Sequence, residues 1–417
     1  MNFKILINIL IVIICCTIQQ AQAQPKYLFE IGVIDSLYST ILNEQREIYV
    51  QLPASFDSNA IRKYPVVYVL DGEVLLNAVS TVHSYYWGGF IPEMIIVGIS
   101  NRNHRTRDLT TSEINTRYGM EYNQESGGAE KFTNFIENEL IPYMDSKYPT
   151  SDYKTLIGHS YAGLFTINTL INHTHLFDNY LAIDPSLDWD NQKLLKQSEE
   201  VLKSKNFKGK SLFISLGGIL HMQNNTIDIN NVMQDTSAYT LFARSNVEFS
   251  NLLKQNEENG LSSNWKFYEN DFHGTIPLPS IMDGLLSFFT WYIIENVHKF
   301  NDPETPTNEL VKIIKNREQK LLDHFGYPVP PFDEELFIMS GYMYLEMGKI
   351  EKALTFFQLN IDYYPLSANA YDSLADFYKT QNDFENALKN ASKAFEISGD
   401  PYHKKRMEDF EAKINKE

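Results

Sequence analysis

The most informative segment of this 417-residue chain is Leu156-Ile157-Gly158-His159-Ser160-Tyr161-Ala162-Gly163. A short apolar run leads into it and an apolar helical pattern follows, which is the strand–turn–helix context of a nucleophile elbow. Such a turn lifts a serine hydroxyl out of the sheet edge, and it needs small residues on both sides because strand and helix almost collide. Gly158 and Ala162 supply them, although Ala162 stands where glycine is usual. The stretch therefore predicts Ser160 as a nucleophile; the alternative is a chance match to G-x-S-x-[GA].

The chain around the elbow has the pattern of an α/β protein. Several short runs are almost entirely apolar, as in Val66-Val67-Tyr68-Val69-Leu70, and amphipathic stretches separate them. Strands buried on both faces have this composition, so a mainly parallel sheet flanked by helices is expected. The predicted strands are 47–52, 66–70, 94–99, 154–157, 180–183, 211–215 and 265–268. The predicted helices are 129–147, 161–171, 240–255 and 280–297.

An activated serine needs a base within hydrogen-bond reach, and in this fold the base comes later in the chain. His273 follows the last predicted strand and is the predicted general base. His159 lies inside the elbow, where we expect it to orient the loop. His173 and His175 form an H-x-H pair, but the neighbouring sequence offers no cysteine or acidic residue to complete a metal site. We therefore predict no metal and no cofactor.

Further motifs occur along the chain in a fixed order. With the elbow and His273 they resemble the esterase-D/enterochelin-esterase-like branch of the α/β-hydrolases, which includes siderophore, feruloyl and S-formylglutathione esterases. The resemblance spans roughly residues 35 to 300 and implies an α/β-hydrolase fold and a serine carboxylic-ester hydrolase. The motifs that carry it are Leu42-Asn43-Glu44-Gln45-Arg46, Tyr64-Pro65 through Asp71-Gly72, Arg107-Asp108-Leu109-Thr110, Gly127-Gly128-Ala129-Glu130-Lys131-Phe132, Asp184-Pro185-Ser186-Leu187-Asp188-Trp189 and Pro277-Leu278-Pro279.

The resemblance also implies an oxyanion hole made of backbone N–H groups. One donor would be the N–H of Tyr161, and the other would come from Gly72 or Glu73 in the turn after the strand 66–70. Fixed donors stabilise the negative charge of a tetrahedral intermediate, and losing one typically costs about 10²–10³ in rate. An ordinary tight turn is the alternative interpretation of this segment.

The acid of the triad is expected between Ser160 and His273, in the loop after the strand 211–215. This loop contains Asp228 and Asp235, and we favour Asp235 because it closes the loop just before the helix 240–255. A Ser–His dyad is the main alternative. Other carboxylates that could steady the imidazole are Glu248, Glu269 and Asp271.

Substrate contacts are expected from the loop after the strand 94–99 and from an aromatic wall. Arg105, Arg107 and Asp108 could hold a polar or anionic group there, and Trp87 and Trp189 could face a phenolic or sugar-bearing ester. The alternatives are a structural Arg–Asp pair and an aromatic core residue. The expected substrate is a small-molecule or glycan-linked ester.

The N-terminus is predicted to be a secretory signal peptide. A charged start, an apolar run over 5–17 and Ala21-Gln22-Ala23 fit the layout of such a signal, and the run is too short for a membrane span. Cleavage after Ala23 would remove both cysteines, Cys15 and Cys16. The product would be periplasmic or secreted. The chain carries 36 basic and 53 acidic residues, a net charge of −17, which argues against nucleic-acid partners.

The C-terminal region is predicted to be a separate set of helices. Beyond residue 331 the sequence repeats with a period of 34, which resembles the tetratricopeptide repeat and suggests a protein partner. The matched pairs are Gly341 with Ala375, Tyr344 with Tyr378, Gly348 with Asn382, Ala353 with Ala387 and Pro365 with Gly399. The predicted organisation is a signal peptide (1–23), an esterase domain (24–300), a helical linker (301–331) and helical repeats (332–417). Acyl transfer and a non-catalytic scaffold remain the alternative functions.

Overall fold

The computed structural model describes residues 31–54, 56 and 62–415. The predicted signal peptide and its two cysteines lie outside the described residues. The strands are β1 (Val33–Ser39), β2 (Glu44–Gln51), β3 (Tyr64–Leu70), β4 (Ile95–Ile99), β5 (Thr116–Arg117), β6 (Met120–Glu121), β7 (Thr150–His159), β8 (Asn179–Ile183), β9 (Ser211–Gly217) and β10 (Ser262–Tyr268).

Helices follow most of the strands and then form the whole C-terminal part. The α-helices are α1 (Gly72–Tyr86), α2 (Arg105–Leu109), α3 (Ala129–Phe135), α4 (Ile141–Lys147), α5 (Tyr161–Asn172), α6 (Trp189–Ser204), α7 (Leu241–Gln255), α8 (Pro277–Phe288), α9 (Val297–Asn301), α10 (Thr307–Phe325), α11 (Glu334–Glu346), α12 (Ile350–Tyr363), α13 (Ala368–Thr380), α14 (Phe384–Ser398) and α15 (Pro401–Ile414). None of the helices in the described ranges is both long enough and apolar enough to cross a membrane.

Eight strands form one sheet in the order β1-β2-β4-β3-β7-β8-β9-β10. The pairs β1–β2 and β2–β4 are antiparallel, and the pairs from β4 to β10 are parallel. All seven residues of β3 are buried because helices cover both faces of the sheet. Val66 and Tyr68 join the core on one face, while Val67 and Val69 join the core on the other. The predicted α/β fold class is therefore confirmed.

Three parts of the fold differ from the pattern expected from the sequence. The edge strand β1 was not predicted, since its only strongly apolar inward positions are near its end. The predicted helix 129–147 contains a π-helical turn at Ile136–Leu140, between α3 and α4. The predicted helix 280–297 ends at Phe288, because the chain turns so that Trp291 stacks on His324 of α10, with ring centroids 3.8 Å apart. Tertiary packing overrides local helix propensity there.

The C-terminal helices pair in the way that the 34-residue period indicates. A Cβ at Gly341 would lie 2.6 Å from the Phe357 ring, so α11 and α12 approach as closely as glycine permits. Ala375 and Ala387 are fully buried between α13 and α14. Small residues at these positions therefore set the distance between the paired helices.

The linker helix α10 packs against the sheet domain far from the elbow. The ring of Phe325 lies 5.3 Å from that of Tyr153 in the first half of β7, and the Tyr327 hydroxyl donates to the carbonyl of Lys63 at 3.3 Å. Ser160 follows the other end of β7, and strand residues advance about 3.3 Å each, so roughly 20 Å separates the two regions. The helical part therefore contacts the end of the sheet opposite to the predicted nucleophile.

Candidate active site

Ser160 lies in a sharp turn between β7 and α5, with backbone angles φ 62° and ψ −116°. Its N–H donates to the carbonyl of Ile183 at 2.9 Å, which ties the turn to β8. A Cβ at Gly158 would lie 2.2 Å from the carbonyl oxygen of Ala162, so glycine is required there. Ala162 itself is fully buried, and its methyl group fits. The local geometry is that of the nucleophile elbow predicted from the sequence.

His273 is hydrogen-bonded to the carboxylate of Asp184, which follows β8 at the same edge of the sheet. Its Nδ1 lies 2.6 Å from Oδ2 of Asp184. The His273 side chain is 50% exposed and the Asp184 side chain is 3% exposed, so the carboxylate lies beneath a ring that reaches the surface. This buried acid and half-exposed base is the pairing that a serine nucleophile requires.

Asp184 is fixed by backbone groups as well as by His273. It directly follows β8 with a left-handed φ of 45°. Its N–H donates to the carbonyl of Ser215, and its Oδ1 accepts a hydrogen bond from the N–H of Gly217, both at 3.0 Å. Because these partners belong to β9, the sheet orients the carboxylate and leaves Oδ2 for His273.

The loop that carries His273 is held against the end of β9. The N–H of Gly218 donates to the carbonyl of Asp271 at 2.6 Å, and a Cβ at Gly218 would lie only 2.0 Å from the Glu269 carbonyl oxygen. On the other side the Phe242 ring meets the imidazole edge to face, with centroids 5.6 Å apart. His273 is thereby placed at the carboxyl edge of the sheet.

The structure does not bring the expected acid, Asp235, to His273. The carboxylate of Asp235 accepts hydrogen bonds from the N–H of Ser237 at 2.7 Å and the hydroxyl of Thr240 at 3.0 Å. The hydrogen bonds from Ser237 are the main cause that lowers its pKa. Asp235 thus stabilises the turn that precedes α7, and Asp184 takes the position beside the imidazole. One sequence signal could have identified Asp184: it directly follows the strand after the elbow helix, at the same sheet edge.

The other carboxylates considered for this role also have different partners. Asp271 accepts a hydrogen bond from the Thr275 hydroxyl at 2.8 Å. The Glu248 carboxylate lies 3.5 Å from the side-chain amide of Gln192. In the described part of the chain, the carboxylate hydrogen-bonded to the imidazole is that of Asp184, which was not among these candidates.

The turn Asp71-Gly72-Glu73, here called the oxyanion turn, ends β3 and begins α1. Asp71 has a left-handed φ of 50°, and its N–H donates to Oδ1 of Asn101 at 3.1 Å. A Cβ at Gly72 would lie 2.6 Å from the backbone of Gly98, so the turn packs tightly on β4. The first N–H groups of a helix have no partner within the helix. Since β3 pairs with β7, these N–H groups lie at the same sheet edge as Ser160.

Arg107 and Asp108 belong to an ion-pair network, which corrects the expected substrate contact. Asp108 is 1% exposed and pairs with both Arg107 and Arg46 at 2.7 Å, and Arg107 also pairs with Glu44 at 2.7 Å. Burial alone would raise the pKa of Glu44, but hydrogen bonds from Arg107 and Arg46 outweigh it and lower the pKa to about 2. The network joins α2 to β2, so these charges are satisfied within the protein.

Trp189 is also a structural residue, contrary to the expected aromatic wall. It is 1% exposed, and its indole N–H donates to the carbonyl of Ser112 at 3.1 Å. Its ring packs edge to face on Tyr161, with centroids 5.3 Å apart. Sequence reasoning missed Arg117, whose guanidinium lies 5.1 Å from the Trp189 ring and pairs with Asp188. Trp189 and Arg117 both pack against the ring of Tyr161, the residue that follows Ser160 in the elbow.

One group of histidine and carboxylate side chains in the described ranges has its ligand atoms close enough together to hold a metal ion. The ligand atoms of His159, Asp184 and His273 lie within 4.8 Å of one another, but this group contains the His–Asp pair already described. Burial and then the charge of His273 lower the pKa of His159 to about 3, so its imidazole is neutral. His173 and His175 pair with two different glutamates, Glu130 at 3.0 Å and Glu137 at 2.8 Å. Each histidine therefore has its own carboxylate partner.

Exposed apolar side chains occur on the loop between β9 and α7 and on the loop that carries His273, and both loops begin at the same edge of the sheet. A Cβ at Gly217, the last residue of β9, would lie 3.4 Å from the backbone of Phe272, so the two loops pack closely where they begin. The exposed residues are Ile219, Met222, Met233, Tyr239 and Phe272. We call this set the apolar rim.

Comparison with known proteins agrees with this geometry. Residues 39–227 match the model of the family described as "Putative esterase", and residues 368–401 match a tetratricopeptide repeat. The chain is 28% identical over 194 residues to the ferri-bacillibactin esterase BesA of Bacillus subtilis, covering 42% of this chain and 66% of the relative. It is 27% identical over 170 residues to a siderophore triacetylfusarinine C esterase of Aspergillus fumigatus, covering 37% and 56%. These alignments thus span less than two thirds of either relative.

A solved structure extends the similarity to the fold. An IroE-like serine hydrolase from Shewanella oneidensis is 26% identical, with a TM-score of 0.63. The match covers 80% of this chain and 99% of the hydrolase. The predicted resemblance to the enterochelin-esterase-like branch and to tetratricopeptide repeats is therefore confirmed.

Proposed function

We propose that this protein, whose sheet domain is an esterase-family domain, is an exported serine hydrolase of carboxylic esters. Ser160 is the nucleophile, His273 the general base and Asp184 the acid. The observation that carries the proposal is the 2.6 Å contact between His273 Nδ1 and the buried Asp184 carboxylate. The His273 ring lies 4.4 Å, between centroids, from the ring of His159, the residue before Ser160 in the elbow. An ordinary surface histidine has no need of a buried acid.

The reaction follows from these positions. Asp184 accepts the Nδ1–H of His273, which leaves the lone pair of Nε2 to take the proton of the Ser160 hydroxyl. Ser160 Oγ then attacks the ester carbonyl, and collapse of the tetrahedral intermediate expels the alcohol, which receives that proton. Water, activated by the same imidazole, attacks the acyl-enzyme and releases the acid. Serine and neutral histidine are regenerated.

Two backbone segments would hold the oxyanion. The N–H of Tyr161 opens α5, and the N–H groups of Gly72 and Glu73 open α1. Both helix starts direct unpaired donors and the positive end of a helix dipole toward the sheet edge. Such donors act without reorganisation as charge develops on the carbonyl oxygen.

The substrate proposed is a small-molecule ester with an apolar or aromatic part. The apolar rim exposes five such side chains on the two loops that follow β9 and β10, Phe272 at 50% and Tyr239 at 54% among them. The two curated relatives are named as esterases of siderophores. An exported siderophore esterase is consistent with both observations and with the predicted signal peptide at residues 1–23. Acyl transfer to an alcohol in place of water would use the same residues.

The test uses residues 24–417 with p-nitrophenyl esters, feruloyl esters and a tricatecholate siderophore. Wild type should turn over at least one ester and should be labelled by a fluorophosphonate. Ser160→Ala should abolish both signals, and His273→Ala should lower kcat by about 10³-fold or more. A folded wild type that neither hydrolyses an ester nor becomes labelled contradicts the proposal.

A further inference from the structure

Arg105 joins the oxyanion turn to the nucleophile elbow. Its Nε donates to the two carboxylate oxygens of Asp71 at 3.0 and 2.9 Å, and its Nη2 lies 2.9 Å from Asp71 Oδ2. The same Nη2 donates to the carbonyl oxygen of His159 at 3.2 Å. Asp71 is the first residue of the oxyanion turn and His159 directly precedes Ser160. One guanidinium therefore touches the two backbone segments that carry the proposed oxyanion donors.

We propose that Arg105 is a positioning residue that sets the distance between the oxyanion turn and the elbow. This inference rests on the proposed function, because it concerns the oxyanion hole of that reaction. The two proposed donors lie on different helices, α1 and α5, with no covalent connection near the site. The pairing of β3 with β7 fixes the strands up to Val69 and Ile157. Beyond these residues, the hydrogen bonds of Arg105 to Asp71 and His159, here called the Arg105 bridge, connect the oxyanion turn to the elbow.

The surroundings of Arg105 favour positioning over substrate binding. Its guanidinium lies 5.2 Å from the Tyr161 ring, so one face of the planar group is covered by the residue after the nucleophile. The Asp71 side chain is only 7% exposed. A buried carboxylate that loses its cation must either take up a proton or move toward water. In both cases the backbone of the oxyanion turn would lose its present anchor.

Arginine suits this bridge better than lysine. The guanidinium is a planar fork that can meet a carboxylate and a carbonyl at the same time, whereas an ammonium group acts as a point charge on a flexible stem. A misplacement of about 1 Å in a catalytic geometry can cost about 10² in rate. Loss of the bridge should therefore act on kcat, since the oxyanion forms only after the substrate is bound.

The experiment compares Arg105→Gln and Arg105→Lys with a matched control, Arg62→Gln. Arg62 is 30% exposed and pairs at 3.0 Å with Glu93, whose side chain is 6% exposed; Arg105 is 35% exposed. Arg105→Gln should lower kcat about 10²-fold with KM changed less than threefold, and should slow fluorophosphonate labelling in parallel. The kcat of Arg105→Lys should lie between the kcat of Arg105→Gln and that of wild type. Arg62→Gln should lower the melting temperature by as much as Arg105→Gln while kcat stays within threefold of wild type.

A double variant provides a second measurement. Asp71→Asn removes the charge that Arg105 anchors, so Asp71→Asn/Arg105→Gln should lower kcat no further than the worse single variant. If Arg105→Gln does not fold, Arg105→Lys and Asp71→Asn test the same coupling. Unchanged kcat in the Arg105 variants, additive losses, or a raised KM with unchanged kcat would each overturn the inference. An inactive and unlabelled wild type would instead contradict the proposed function, and this inference with it.

Discussion

Asp184 and His273 are 89 residues apart in the sequence, and their side chains meet at 2.6 Å between Oδ2 and Nδ1. Strand order explains the contact. Because β8 lies between the elbow strand β7 and β9, a residue that ends β8 lies beside the elbow. The loop after β10 reaches back over β9 to the same point. The acid of the proposed triad therefore comes from β8, although the sequence directed attention to the loop after β9.

The first prediction separates the two candidate acids. Asp184→Asn should lower kcat about 10³-fold or more, because the asparagine amide no longer fixes the Nδ1–H tautomer of His273 or stabilises the imidazolium. Asp235→Asn is the matched control and should change kcat less than threefold. Steady-state kinetics with one p-nitrophenyl ester measures both. If Asp235→Asn lowers kcat more than Asp184→Asn does, the acid of the triad is Asp235, in the loop after β9.

The second prediction concerns stability and pH through His159. Burial, followed by the nearby charge of His273, lowers the pKa of His159 from 6.5 to about 3. The folded protein therefore binds fewer protons at this site than the unfolded chain, so the contribution of His159 is complete above about pH 6.5 and is lost as the pH falls toward 3. In His159→Asn, the free energy of unfolding should therefore depend less on pH in the acid range.

Urea unfolding at pH 7.5 and pH 5.0 measures the effect. The free energy of unfolding should fall more between these two pH values in wild type than in His159→Asn. The other titrating groups are common to both proteins, so the difference isolates His159. If the free energy of unfolding falls equally in both proteins, the His159 imidazole is protonated in the folded state.

The third prediction tests the steric requirement of the elbow. Gly158→Ala places a methyl group 2.2 Å from the carbonyl oxygen of Ala162, and it should lower the free energy of unfolding by about 1–3 kcal/mol. Gly274→Ala is the control, since the nearest atom to its added Cβ is the Phe272 ring at 4.0 Å. Its stability should stay within about 1 kcal/mol of wild type. Equal stability of the two variants would show that the elbow relaxes without cost.

The fourth prediction concerns the helical repeats. Removal of residues 332–417 should lower the melting temperature, because Phe332 packs at 5.4 Å against Phe300 and α11–α12 cover this region. The kcat/KM of a folded truncated protein should stay within threefold of the full chain, because the linker helix α10, which joins the repeats to the sheet domain, contacts the end of the sheet opposite to Ser160. A loss of activity without loss of stability would place part of the site on the repeats.

Much of the fold could be predicted because its causes are local. The sequence pattern predicted seven of the strands that form the large sheet. Central strands such as β3 and β4 are apolar throughout because both of their faces are buried. The edge strand β1 was not predicted, since polar residues interrupt its apolar ones and only Leu37 and Ser39 are buried among its seven residues. The break after Phe288 also escaped, because it depends on Trp291 meeting His324 from a distant helix.

Local constraints, which act over a few residues, are enough to locate the elbow and the predicted base in the sequence. The elbow needs a glycine before Ser160 and a small residue after it, and the position of His273 after the last strand needs no distant partner. Tertiary structure alone decided the partners of the charged and aromatic groups. It pairs His273 with Asp184 and Arg107 with Glu44, and it buries Trp189 behind the elbow. The reason is that an ion pair or a hydrogen bond depends on which strand ends are neighbours, and strand order is a property of the whole sheet.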